Sequence, residues 1–251
     1  MINQLFATII LTAVTFATPA GLLRMADAQD PAKNDQGKRV EFSTKFDHEL
    51  KNWKVTDDAC WKTKKTDSGY VLSLHKKKSS YKPKVRSPYH IALLKEHRWM
   101  DFELNVDILS THKDYNHRDV CLFFGYQSPS QLYYVHLGKK TDPHANQIFI
   151  VNNKARTKIS TKTTDGTPWD DKWHKIRIRR DVESGKIEVF FDDMEKPWMT
   201  AEDKTFGWGQ VGLGSFDDTA DFANLKIVGT EGGKEDSESK QGSANQKTTI
   251  K

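Results

Sequence analysis

The nine residues DFELNVDIL, Asp101 to Leu109, alternate without a break: Phe102, Leu104, Val106 and Ile108 fall on one face, Asp101, Glu103, Asn105 and Asp107 on the other. A strict period of two marks a strand with one face buried and one wet, and it recurs along the chain. KIEVFFDD places Ile187, Val189 and Phe191 together, WHKIRIRRD pairs Ile176 with Ile178, and the VESG between them suits a hairpin turn. GYVLSLH, DVCLFFGY, LYYVHLG and QIFIVN read the same way, and no stretch carries a helical period. Many short strands separated by turn residues predict an all-β chain, a two-sheet antiparallel jelly-roll sandwich. With seven Trp, seven Tyr and thirteen Phe in 251 residues, the apolar supply is aromatic enough to fill the space between two sheets.

The ends differ in kind from this middle. Leu5 to Leu23 carry no charge and are followed by ADA at Ala26–Ala28, a small-x-small cleavage pattern, so residues 1–28 are expected to be a signal peptide. No Lys or Arg precedes the apolar run, a departure from the usual signal. A retained membrane anchor is the competing reading, against which stand Pro19 and Gly21. Export implies a secreted or periplasmic protein with no stable membrane insertion after cleavage, and it argues against nucleic acid as a partner. Residues 29–39 then form a flexible lead-in, 40–229 the jelly-roll domain, and 230–251 a tail too poor in apolar side chains to offset its ordering entropy. Cys60 and Cys121, the only two cysteines, leave two readings open: a disulfide permitted by an oxidising compartment, or two buried thiols. Their spacing is not that of a zinc or iron–sulfur motif.

The order DFELNVDI, LFFGYQ, LYYVHLG, WHKIRIRR, GKIEVFFDD and the closing GQVGLGSFDDTADFANLKI resembles secreted concanavalin A-like and laminin G-like jelly rolls, nearest the 3-keto-disaccharide hydrolase-like group of secreted bacterial proteins. The likeness spans Trp53 to Val228. Its most specific elements are Trp173 and His174 opening one strand, and the Gly-x-x-Gly-Leu to Phe-x-Asn-Leu closure. The resemblance implies an extracytoplasmic protein that handles polysaccharide or oligosaccharide. Because such a fold hosts lectins, hydrolases, lyases and adhesion modules, three readings stand: a carbohydrate-binding jelly roll, a glycan-degrading enzyme of the 3-keto-glycoside hydrolase or polysaccharide lyase kind, and a non-catalytic adhesion or scaffold module.

Alternation in QLYYVHLG sends Tyr134 and His136 to one face, with Tyr133, Val135 and Leu137 on the other. In the resembled group the equivalent strand carries an acid and a glutamine at these two places, and the preceding strand carries an Arg that LFFGYQ lacks. Tyr134 and His136 are therefore the catalytic candidates, as general acid and base of a β-elimination. Arg118, His144 and Gln147 are the groups to neutralise a uronic carboxylate. Glu103 and Asp107 lack the third acid of a jelly-roll glucanase and read as a wet strand face. Asp217, Asp218 and Asp221 in SFDDTAD read as a turn between strands, with calcium the one cation such a loop would take and no other cofactor expected. The net charge of +5 includes the run HKKKSSYKPKVR, in which Lys76, Lys77 and Lys78 are candidate contacts for an anionic glycan or, alternatively, a solvated loop guarding a sheet edge. Trp169 and Trp198 are expected to be exposed, Trp169 as a sugar-stacking ring, and Trp173 and Trp208 to pack.

Overall fold

The structure, a computed structural model, describes residues 38–47 and 50–232. The expected signal peptide, most of the lead-in and most of the tail lie outside the described residues. Among the described residues sixteen strands follow one another: β1 (Lys38–Thr44), β2 (Trp53–Val55), β3 (Trp61–Thr66), β4 (Gly69–Leu74), β5 (His90–Leu94), β6 (Trp99–Ser110), β7 (Asp119–Ser128), β8 (Gln131–Gly138), β9 (Gln147–Asn152), β10 (Thr157–Lys158), β11 (Ser160–Lys162), β12 (Trp173–Arg180), β13 (Lys186–Phe191), β14 (Met199–Glu202), β15 (Gln210–Ser215) and β16 (Ala220–Glu231). Among the described residues the only helices are two 3₁₀ turns, Leu50–Asn52 and Asp58–Cys60, and no helix is long and apolar enough to cross a membrane.

The strands form two antiparallel sheets. The back sheet runs β11-β14-β13-β12-β6-β16-β4-β3, with β1 also paired to β16, and the front sheet runs β10-β9-β8-β7-β15-β5-β2. This is the two-sheet sandwich that the period of two predicts. Phe102, Leu104, Val106 and Ile108 of β6 face the interior, as do Ile176 and Ile178 of β12 and Ile187, Val189 and Phe191 of β13. The turn from β12 to β13 is chemically specified: Asp181 Oδ1 accepts from the Ser184 amide and hydroxyl, both at 2.8 Å, and Gly185 takes φ +83°, where an L side chain is strained.

The front sheet departs from simple alternation. β7 and β8 are buried on both faces. One face meets the back sheet through Val120, Leu122, Phe124, Tyr133, Val135 and Leu137. The other carries a second apolar cluster, among it Phe123, Tyr134, Phe149 and Phe216. Alternation fixes which side chains share a face; whether that face meets water depends on the connection between β4 and β5, which folds over it.

Candidate functional site

The connection is residues 75–89, the lysine-rich run. His90 Nε2 lies 2.8 Å from the Lys77 carbonyl, the Cys60 thiol donates to the Lys78 carbonyl at 3.4 Å, and the Ser80 amide and hydroxyl both donate to Asp57 Oδ2 at 2.7 Å. Those Ser80 bonds hold the Asp57 carboxyl down at about 2, below its ordinary 3.8. Val85 and Tyr89 pack onto the second cluster, and the Arg86 guanidinium stands 5.2 Å from the Phe216 ring. The connection therefore roofs the outer face of the front sheet through Val85, Arg86 and Tyr89. The Lys76, Lys77 and Lys78 side chains remain exposed, and Lys77 reaches Asp218 Oδ1 at 3.1 Å.

Under this roof three strands align their outward residues. Cys121 of β7 is opposite His136 of β8, which is opposite Gln147 of β9; in the next row Phe123, Tyr134 and Phe149 repeat the pairing. The glycines of β15 make room alongside, since a Cβ on Gly214 would lie 1.9 Å from the His90 carbonyl oxygen. Tyr134 and His136 do share a face, with ring centroids 6.3 Å apart, but Tyr134 is fully buried and its hydroxyl has no hydrogen-bond partner. Burial pushes that phenol well above its ordinary value, with Arg156 pulling the other way. The Arg156 guanidinium is itself held between rings, 4.4 Å from Phe216 and 5.3 Å from Phe149.

Of the remaining expected ligand contacts, Gln147 joins His136 and the others disperse. Gln147 is buried beside His136, its amide nitrogen donating to the Asp142 carbonyl at 3.2 Å and its Oε1 unpaired. His144 has an exposed side chain and contributes only its carbonyl, 2.9 Å from His136 Nδ1. Arg118 points away from Tyr134: fully buried, it bonds Ser110 Oγ at 2.8 Å, the Ser110 carbonyl at 2.6 Å and Asp171 Oδ1 at 2.6 Å. Trp169, expected at the surface, is 3% exposed, packs edge-on against His174 and Phe191, and donates from Nε1 to the Leu137 carbonyl at 2.9 Å. Trp198 is half-buried against the core. Trp173, expected to pack, is 41% exposed, because alternation turns His174 inward instead.

The three aspartates of SFDDTAD do not converge either. Asp221 lies in β16 and pairs with Lys64 at 2.7 Å. Asp218, fully buried, ties loops together: Tyr115 OH donates to both its oxygens at 2.9 and 2.8 Å, and the Asp119 amide donates at 3.1 Å. Asp217 joins Asp119 and Asp218 in an acidic group whose oxygens lie within 4.8 Å of one another. Burial, then the charges of Asp119 and Asp218, raise the Asp217 carboxyl. A second group, fully buried, brings Asp119, Cys121 and His136 within the same 4.8 Å. Both cysteines are free. Burial, aided by the Asp119 charge, pushes the Cys121 thiol well up, so it is no ready nucleophile. Asp119 and Arg156 escaped the sequence reading, which took Cys121 only as one of a disulfide or thiol pair and Asp217 only as a turn or calcium residue; the shared parity of Asp119, Cys121 and Phe123 in DVCLFFGY was the available signal.

Above the acidic group, Lys77, Lys78, Ser79, Lys82, Tyr89 and Asp217 line a surface hollow of about 530 Å³. Among the described residues no carboxylate pairs with Lys78 or Lys82.

Solved structures place this sandwich in a class. Lectin II from Ulex europaeus superposes with a TM-score of 0.52 at 14% identity, over 76% of this chain and 98% of that one. A winged bean acidic lectin complexed with methyl-α-D-galactose gives 0.51 at 14% identity, over 77% and 99%. The carbohydrate-binding module CBM66 from Bacillus subtilis is 22% identical over 70% of this chain and 94% of that one, with a TM-score of 0.48. No protein-family model and no curated protein matches the chain. At such identities the lectins establish shared architecture: the chain is a concanavalin A-like β-sandwich.

Proposed function

We propose that the protein is an extracytoplasmic carbohydrate-recognition module for acidic saccharides, and that the hollow over residues 77–82 is its binding site. The observation that carries this reading is the hollow's lining: the cations of Lys78 and Lys82, with which no carboxylate pairs among the described residues, the half-buried ring of Tyr89 as an apolar floor, and Ser79 and Asp217 as hydrogen-bonding groups. Uronate or sulfate groups are attracted by such unpaired ammonium groups, while a pyranose face packs on an aromatic ring. The lectins of the same architecture, one of them complexed with methyl-α-D-galactose, support a sugar as ligand. Export of the chain after loss of residues 1–28 belongs to the same reading; the intact mass of the exported protein tests it.

The binding test is titration calorimetry with oligouronates, sulfated oligosaccharides and neutral oligosaccharides at low and physiological salt. The acidic ligands are expected to bind and to weaken as the Debye length shrinks to about 8 Å, and Lys78→Ala with Lys82→Ala to abolish the preference. Binding of neutral sugars alone overturns the reading.

A second reading, glycan turnover, is favoured by one observation: Tyr134 OH, His136 Nε2, Gln147 Oε1 and two guanidinium nitrogens of Arg156 are buried polar atoms without hydrogen-bond partners. Turnover requires the roof to lift, since an acid–base pair must reach its substrate. Activity on uronic, sulfated or 3-keto glycans that disappears in folded His136→Ala would establish it.

A further inference from the structure

We propose that Asp119, Cys121 and His136 form a binding site for a divalent transition-metal ion of the zinc class. Asp119 Oδ2 draws a thiol and an imidazole nitrogen to itself, and the nitrogen has no hydrogen-bond partner. His136 Nε2 lies 3.2 Å from Asp119 Oδ2, yet it is buried with no hydrogen-bond partner. The Cys121 thiol donates to the same oxygen at 3.4 Å. Zinc bonds of about 2.0 Å to nitrogen and oxygen and about 2.3 Å to sulfur, in tetrahedral arrangement, set nitrogen and oxygen ligands about 3.3 Å apart and sulfur and oxygen ligands about 3.5 Å apart. The two contacts fall within about 0.1 Å of those spacings.

The surrounding bonds orient the three groups as a metal's outer partners do. His136 Nδ1 is held 2.9 Å from the His144 carbonyl, which fixes the proton there and leaves Nε2 as the lone pair turned toward the other two ligands. Asp119 is held by the Phe216 amide at 2.8 Å and the Ser215 hydroxyl at 3.0 Å. Charge also closes: one carboxylate and one thiolate neutralise a dication, so the occupied site carries no net charge into a fully buried place. Asp217, whose carboxylate lies within 4.8 Å of that of Asp119 and which also lines the hollow, gives an ion a route in from the surface. Sequence spacing misses the site, because two neighbouring strands bring the residues together in space.

The test uses the full mature chain, reduced and stripped of metal, then dialysed against zinc and back into metal-free buffer. One zinc per chain is expected to remain. Cobalt(II) in its place is expected to give a thiolate-to-cobalt charge-transfer band in the near ultraviolet, which Cys121→Ser removes while Cys60→Ser retains it. Failure to retain zinc, cobalt binding without the band, or a band that survives Cys121→Ser overturns the proposal and leaves a plain His136–Asp119 ion pair. Should Cys121→Ser not fold, X-ray absorption of the zinc-loaded wild type decides: sulfur at about 2.3 Å supports the site, and its absence refutes it.

Discussion

The outer faces of the two sheets start from the same alternation and end in opposite states. On the back sheet the outward residues of β6 and β12 interlock as charges in water: Lys175 Nζ lies 3.2 Å from Asp107, and Glu103 takes Arg177 at 3.2 Å and Arg179 at 2.8 Å. Even the groove of about 650 Å³ on this side is lined by both signs, Arg39, Arg179 and Lys186 against Asp101, Glu103 and Glu188. On the front sheet the outward positions hold Phe123, Tyr134 and Phe149 beneath the residue 75–89 roof. The named back-face charges pair with one another, whereas above the front sheet Lys78 and Lys82 pair with no carboxylate among the described residues. Binding specificity is thus expected where the chain crosses over a sheet rather than where the sheet is open.

The largest effect that probes this contrast is Phe149→Ala, expected to cost about 3–5 kcal/mol in urea unfolding, as for a fully enclosed aromatic. Arg179→Ala on the back face is expected to cost at most about 1 kcal/mol, as exposed ion pairs do. Equal small losses would mean that the front face is open to water. Next comes Tyr134→Phe, which removes a buried hydroxyl without a partner. It is expected to be neutral or to stabilise by about 1 kcal/mol, and a clear destabilisation would reveal a bonded hydroxyl.

A smaller effect belongs to Asp217. Its raised carboxyl means that the folded chain holds the proton more tightly, so its ionisation penalises folding as pH climbs from the ordinary 3.8 through the raised value. In the metal-free protein, Asp217→Asn is expected to unfold at a higher temperature than wild type near neutral pH, the gain vanishing in strong acid; a gain independent of pH would contradict it. The smallest concerns the roof's anchor. Because the Asp57 carboxyl is lowered to about 2, its support for the loop is complete above 3.8 and fades only as pH falls through that lower value. Carboxyl NMR should find the Asp57 midpoint near 2, and Ser80→Ala should move it up.

The period of two made the sandwich legible, down to the interior faces of β6, β12 and β13 and to the shared face of Tyr134 and His136. It carried no information on what lies above a face, which is why Trp169 was expected outside and is buried, donating to the Leu137 carbonyl, and why the backbone of the lysine run roofs the front sheet while its lysine side chains stay in solvent. The Asp119, Cys121 and His136 group was invisible for a related reason: its members are 2 and 15 residues apart, and only the β7–β8 register joins them. Arg118 shows the limit in reverse, near in sequence to the cluster but turned to the opposite side.

The most direct measurement of the central claim is hydrogen–deuterium exchange with and without an oligouronate. Protection is expected in peptides covering residues 76–89, with β12 and β13 unchanged, and it should disappear in the Lys78→Ala, Lys82→Ala protein. Protection of β6, β12 and β13 instead, or none in residues 76–89 at saturating ligand, would contradict the account.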